Sequence, residues 1–268
     1  MRLALAQQSI RAGDLEGNVD RAVAAIDRAA AEDADCVALP EIFNVGYFAF
    51  DDYARAAEPL GGPTHERVRA AAVEHDVAVL AGTIVEDLEA SAAAGEAVPE
   101  PDGLANTAVL FDADGRRRLV YRKHHLFGYG SVESDLLVPG ESLPTADLGG
   151  HTVGVTTCYD LRFPALYRRL LEAGATLVLV PSAWPYPRVE HWKLLPRARA
   201  VESLLYVGAV NGSASFDEAD LVGRSTVYDP WGTPVAAAGE EPTIVTADCD
   251  PGRVEAVREE FPALRDRR

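Results

Sequence analysis

The sequence predicts an α/β fold in which helices cover β-sheets, and three observations carry that prediction. Short β-branched runs alternate with amphipathic, helix-period stretches along the chain. Two strand-to-helix units precede residue 85 and two more follow residue 150, so the chain reads as two similar layers. Its 268 residues, 48% of them apolar, suit one large core better than two small ones, so residues 1–268 are expected to form a single domain.

RLALAQ (2–7) opens the chain as a strand. A helix is expected over 18–32, with Asn18 as its N-cap. DCVALP (35–40) is an apolar strand that stops at a proline, and the next helix, 64–75, opens at Pro63-Thr64. VAVLAGTIV (77–85) is the third strand. Residues 86–103, EDLEASAAAGEAVPEPDG, lack any period and are rich in Gly, Pro and acids, so they read as a solvated loop. NTAVLFDADGRRRLVYRK (106–123) reads as a hairpin turning at Asp114-Gly115. Strands HTVGVTTC (151–158), ATLVLVPSA (175–183) and LYVGAV (205–210) then alternate with helices over 164–173 and 189–203. A second hairpin, GRSTVYDPWGTPVAAAG (223–239), precedes a strand, TIVTADCD (243–250), a helix over 251–260 and a basic tail, LRDRR.

A net charge of -17 speaks against nucleic acid as a partner, since the only basic cluster is the short RRR at 116–118. No apolar window approaches 18 residues and MRLALAQQSI is too short for a signal peptide, so a soluble, cytoplasmic protein with no membrane partner is expected. Cys36, Cys158 and Cys249 show neither a paired framework nor metal-ligand spacing, so no disulfide and no metal is expected. Only Lys123 and Lys193 are lysines, against 23 arginines and 42 carboxylates. Such an acidic, Lys-poor surface suits a salty cytoplasm, where ions screen its self-repulsion.

Three strand ends carry polar residues that propensity does not explain. DCVALPEIF presents Glu41, RLVYRKHHLF presents Lys123, and GVTTCYD presents Cys158. Side chains just past strand ends face the crevice where α/β sheets bind ligands. Singly, Glu41 could cap a segment, Lys123 could be a surface cation and Cys158 a small core hydrophobe. Their joint occurrence favours a shared pocket, because a Lys-poor chain has kept a lysine where arginine would serve any surface role.

LPEIF (39–43), YRKHHLF (121–127) and TTCYDLRFP (156–164), followed by VPSAW, HWKLLPRARAVES and GRSTVYDPWGTPVA, resemble the nitrilase superfamily of carbon-nitrogen hydrolases. The resemblance runs over nearly the whole chain, and within the superfamily is strongest to the omega-amidase and deaminated-glutathione amidase branch. It implies a four-layer αββα sandwich that dimerises into an αββααββα assembly. It also implies Glu41 as general base, Lys123 as the cation that stabilises the oxyanion, and Cys158 as nucleophile. VESDLLVPG (132–140) matches a further family pattern and places Glu133 as the residue that orients substrate or lysine. Ser203 departs from the family's usual Asn, and the 86–103 loop is longer and more acidic than usual.

The chemistry implied is cofactor-free hydrolysis of a small aliphatic amide through a Cys158 thioester, giving an acid and ammonia. The backbone N–H of Tyr159 would share the oxyanion with Lys123. An N-carbamoyl hydrolase or a nitrilase of the same superfamily is the near alternative, and a catalytically silent binding module the alternative from another class. Trp184 either walls the substrate pocket or packs in the core. Arg162 either binds a substrate carboxylate or, preferably, pairs internally with Asp160. His124 and His125 could serve a Cys–His arrangement but leave the acid–lysine pair the better match; His191 reads as packing, Lys193 as a surface cation, and Cys36 and Cys249 as inert thiols. Pocket shape is expected to depend on loops 42–58, 124–145 and 183–190.

Overall fold

A computed structural model describes residues 1–129 and 131–267 and contains two six-stranded mixed sheets. The first part of the chain supplies β1 (Arg2–Gln7), α1 (Leu15–Ala30), β2 (Cys36–Ala38), α2 (Tyr53–Ala56), α3 (Pro63–Glu74), β3 (Ala78–Asp87), α4 (Leu88–Ala93), β4 (Leu104–Phe111) and β5 (Arg117–Arg122). There follow α5 (Glu133–Leu136), β6 (Thr145–Leu148), β7 (His151–Val155), α6 (Pro164–Glu172), β8 (Leu177–Ser182), α7 (Val189–Ser203) and β9 (Tyr206–Asn211). The chain closes with β10 (Thr226–Tyr228), β11 (Pro234–Ala237), β12 (Thr243–Asp248) and α8 (Pro251–Glu260). Strand order is β12-β1-β2-β3-β4-β5 in one sheet and β11-β10-β9-β8-β7-β6 in the other.

The two-residue period of the strands builds the layers. Leu3 and Leu5 of β1 enter the space between the sheets and join the cluster that holds Val153, Val155, Leu177 and Leu179. Ala4 and Ala6 of the same strand join Ala22, Ile26 and Val68 of α1 and α3. In the second sheet Val178 and Val180 lie with Leu166 and Leu170 of α6 and Trp192 and Ala200 of α7. The architecture is therefore helix, sheet, sheet, helix, the αββα sandwich expected. Each fully buried Leu or Val contributes about 1.5–3 kcal/mol. Close approach of the sheets needs Gly208, where a Cβ would stand 2.8 Å from Leu3 Cδ2 and 3.0 Å from Leu179 Cδ2.

Helices α7 and α8 occupy the residues expected of them, and both hairpins form, the first with Gly115 at φ +75°. Two expectations are corrected, and one strand is new. The cap of α1 is Asp14, whose side chain accepts from Gly17 N at 3.2 Å. Asn18 instead lies buried inside the helix, where its Nδ2 donates to Arg11 O (2.7 Å) and Asn44 O (2.9 Å). An Asx residue is a cap only where no earlier one reaches the first-turn N–H groups, and Asp14 does.

Residues 86–103 are not a loop throughout. β3 continues through Asp87, whose side chain caps α4 by accepting from Ala90 N at 2.9 Å. Glu86 is fully buried and paired with Arg122 at 2.7 Å, and Leu88 and Ser91 are buried. Edge strand β6, antiparallel to β7, has no counterpart in the sequence reading, because TADL is short and half-exposed. Among the described residues, no helix is long and apolar enough to cross a membrane and no His, Cys, Asp and Glu cluster could hold a metal ion.

Candidate active site

Strand direction brings the polar strand ends together. β2 is parallel to β3, β4 is antiparallel to β3, and β5 is antiparallel to β4, so β2 and β5 end at the same edge of their sheet. Glu41 follows β2 and Lys123 follows β5 at that edge. In the facing sheet β7 and β8 are parallel, and Cys158 and Ala183 follow them. Two contacts tie the sheets there: Glu41 N donates to Ser182 O (3.4 Å), and Ala183 N donates to Glu41 Oε2 (2.9 Å). Gly82 of β3 permits this, since a Cβ would collide with the carbonyl oxygens of Leu39 and Pro40.

The chain turns sharply at both functional strand ends. Ile42, after the acid, sits at φ +45°, and Cys158 itself at φ +46°. Left-handed backbone is costly for such residues and persists where surroundings enforce it. At Cys158 the enforcing residue is Asp160. Its Oδ2 accepts from Thr157 N (2.9 Å) and Tyr121 OH (2.6 Å), and its Oδ1 from His125 N (3.0 Å), with His125 Nδ1 at 2.8 Å. Cys158 opens a 3₁₀ turn, Cys158–Arg162, so Tyr159 lies in a first turn whose N–H groups lack intrahelical acceptors.

Glu41, Lys123 and Glu133 are buried and form one network. Lys123 Nζ donates to Glu41 Oε1 (2.8 Å) and to Glu133 Oε1 (2.8 Å) and Oε2 (3.0 Å). Glu133 Oε2 also accepts from Tyr47 OH (2.9 Å) and Phe127 N (2.7 Å). The charges of Glu41 and Lys123 both act on the Cys158 thiol. Burial pushes the Glu41 carboxyl above its ordinary range; Lys123 pulls against this and Glu133 adds to it. Burial likewise pushes the Cys158 thiol well up, with Glu41 adding to the rise and Lys123 opposing it. For Lys123 burial acts downward, but the charges of Glu133 and Glu41 prevail and hold it well above its usual value. The resting group is thus a neutral thiol beside a carboxyl of raised proton affinity and a fixed ammonium.

Cys158 and Lys123 open into a pocket of about 370 Å³, mouth included, lined also by Tyr47, Phe48, Phe127, Tyr159, Arg162, Trp184 and Arg188. A pocket so small suits a short substrate. Trp184 is both wall and packing residue: it lines the pocket, packs on Trp192 at 5.6 Å between centroids, and donates Nε1 to Arg188 O at 2.9 Å. Arg162 does not pair with Asp160, whose oxygens are taken by Thr157, Tyr121 and His125. It lies over the Trp184 ring at 5.1 Å, with its Nη2 3.1 Å from His191 Nδ1. Arg188, over the Phe127 ring at 5.4 Å, makes no ion pair among the described residues, and neither does Arg162.

His124 stacks on Tyr121 and His125 on Phe163, and neither lines the pocket. Lys193 pairs on the surface with Glu190 at 3.0 Å, Cys36 and Cys249 are buried free thiols, and Ser203 ends α7. Sequence reasoning missed Asn106, whose Nδ2 donates to both Glu41 Oε1 (2.9 Å) and Glu133 Oε1 (3.1 Å). A buried Asn in an otherwise apolar strand, where Asn is disfavoured, was the available signal. Tyr47, Phe127 and Arg188 were missed too, all in loops that local pattern does not shape.

The sequence profile described as carbon-nitrogen hydrolase matches residues 2–259. Among curated relatives, a 2-oxoglutaramate amidase of Paenarthrobacter nicotinovorans is 34% identical, the match covering 88% of this chain and 79% of that one. The omega-amidase NIT2 of Homo sapiens is 36% identical, with 100% and 95% covered. Saccharomyces cerevisiae Nit3, a solved member of the nitrilase superfamily, superposes with a TM-score of 0.86 at 33% identity, covering 98% of this chain and 94% of that one. An amidase of Nesterenkonia sp. AN1, solved as a mutant with acrylamide added to its active-site cysteine, gives 0.80 at 28% identity, with 98% and 99% covered. Fold, profile and relatives agree: the chain belongs to the carbon-nitrogen hydrolases of the nitrilase superfamily.

Proposed function

We propose that the protein hydrolyses the terminal amide of a short carboxylate-bearing monoamide, giving a dicarboxylate and ammonia through a thioester on Cys158. The observation that carries this reading is one small pocket lined by Cys158 and by Lys123, whose ammonium bonds the buried Glu41, with Arg162 and Arg188, neither in an ion pair among the described residues, along its wall. Two relatives named as 2-oxoglutaramate amidase and omega-amidase support amide hydrolysis.

In the proposed sequence Glu41 takes the Cys158 proton as sulfur attacks the amide carbon. The oxyanion meets Lys123 and the Tyr159 N–H, each such donor being worth roughly 3–4 kcal/mol. Glu41 returns the proton to the departing ammonia, then activates water, which releases the acid and restores the thiol. Trp184 walls the acyl chain, and an arginine fork receives its carboxylate. Glu133 positions Lys123 without touching sulfur.

Ammonia release from monoamides of short dicarboxylic acids, with neutral amides of equal length beside them, tests the reading against Cys158→Ala. Release that depends on Cys158 and favours the carboxylates supports it; equal release from both proteins refutes it. Carbon dioxide appearing with the ammonia would instead mark a carbamoyl substrate.

We further infer a homodimer built on α7. Leu194 and Val201, seven residues apart on that helix, are 62% and 47% exposed, and Phe261, beside Trp231, is 50% exposed. Light scattering of the wild type and Val201→Glu is the check: a monomer in the wild type sinks it.

A further inference from the structure

Asn106, on β4, is fully buried and touches three members of the site. Its backbone oxygen accepts from Lys123 N at 2.9 Å, and its Nδ2 donates to Glu41 Oε1 at 2.9 Å and Glu133 Oε1 at 3.1 Å. Lys123 Nζ donates to the same two oxygens, at 2.8 Å each. The four groups close a ring in which two donors alternate with two acceptors.

The acceptors set the amide's orientation, because the reverse placement would aim Oδ1 at two carboxylate oxygens. In the orientation observed Oδ1 is buried without a partner among the described residues. A buried acceptor left unpaired is a cost that native structures seldom carry without a functional reason. Asn106 is kept for its donor.

A carboxylate oxygen has two lone pairs. On Glu41 Oε1 both are taken, by Lys123 and Asn106, whereas among the described residues Oε2 has only the Ala183 N–H. We propose that Asn106 is a positioning residue that, by saturating Oε1, directs the Cys158 proton to Oε2 of Glu41. The Sγ–H bond breaks as the Oε2–H bond forms, and that proton later leaves with ammonia. Because Asn106 bonds the ionised carboxylate, it also restrains the proton affinity that burial raises. This rests on Glu41 being the general base.

The experiment follows Cys158 alkylation by iodoacetamide from pH 5 to 9 in the wild type, N106L and N106D, with amide turnover measured alongside. In N106L alkylation and kcat fall about tenfold at neutral pH, the size of a lost hydrogen bond to a charged group. The acid limb of both profiles moves to higher pH and KM stays within about twofold. N106D, nearly isosteric but adding a carboxylate, moves the limb further; it carries the test alone if N106L folds poorly. A uniform loss with an unmoved limb, or a change confined to KM, overturns the proposal. Alkylation needs no amide, so failure to turn over any amide would sink the functional reading while the alkylation profile still decides this one.

Discussion

Lys123 grips Glu133 by both carboxylate oxygens, at 2.8 and 3.0 Å, but Glu41 by one only, at 2.8 Å. The asymmetry divides two chemically identical side chains. Glu133 also accepts from Tyr47, Asn106 and Phe127, so its acceptor capacity is committed to holding the ammonium and the backbone at Phe127. Glu41 Oε2, by contrast, accepts a single N–H among the described residues, that of Ala183. In the proposed mechanism environment, not residue type, separates the positioning acid from the proton carrier, as in other paired-carboxylate sites.

Glu133→Gln follows directly. It leaves the buried ammonium with one anionic partner, and breaking a buried pair costs about 3 kcal/mol or more. The melting temperature should fall by roughly 6–12 °C in a protein of this size. Turnover should fall by about 100-fold or more with Lys123 displaced from the oxyanion position. Calorimetry with steady-state kinetics checks both; unchanged stability and turnover would show that Glu133 does not hold the lysine.

Glu41→Gln should behave in the opposite sense for stability. Burial, partly offset by Lys123 and reinforced by Glu133, raises the folded pKa of Glu41 above its unfolded value near 4.5. A raised carboxylate pKa favours the folded state below the unfolded value, and that stability is lost as pH rises through the folded value. The variant lacks this loss. Its melting temperature minus that of the wild type should therefore be more positive at pH 8 than at pH 4.5, while turnover disappears. A difference independent of pH contradicts a raised Glu41.

The proposed function has Cys158 activated by a base and not by an acidic thiol, in keeping with a thiol that burial and Glu41 push well up despite Lys123. Iodoacetamide should label Cys158 in the wild type at pH 7 and much more slowly in Glu41→Gln, with recovery only at strongly alkaline pH. Cys36 and Cys249, both pushed up to about 12 by burial, should stay unlabelled in the native state. Mass spectrometry of the alkylated peptides gives the readout. Equal labelling of the two proteins at pH 7 would remove Glu41 from the base role.

What local sequence shows and what it hides divide along physical lines. Apolar period placed α7 and α8 because periodicity is a property of neighbouring residues. The same logic placed Glu41, Lys123 and Cys158 past strand ends, and strand direction then brought the ends together. Partner choice is different. Asp160 sits two residues from Arg162 in the chain yet bonds Tyr121 of β5 and His125 just past its end, and no local pattern encodes pairing across that sequence separation. Asp14 displaced Asn18 as a cap, and Glu86 turned an apparently solvated stretch into buried strand because Arg122 lies opposite it. Arg188 was invisible for the same reason, its position being set by the loop after Trp184.

Arg162 and Arg188 make the last prediction. Arg162 is held over Trp184 by a cation–π contact and touches His191, and Arg188 lies over Phe127, so both line the pocket with no carboxylate partner among the described residues. On the proposed function a substrate carboxylate would supply that charge, and a charge-assisted bond of this kind contributes about 1.5–3 kcal/mol. Arg162→Ala and Arg188→Ala should each raise KM for a dicarboxylic monoamide by about 10- to 100-fold, with KM for a neutral amide of equal length changed by less than about threefold. Lysine should restore Arg162→Ala only in part, because an ammonium offers neither the two-pronged contact nor the stacking plane. Equal losses on charged and neutral amides would show that the two arginines shape the pocket walls and do not read the substrate's charge.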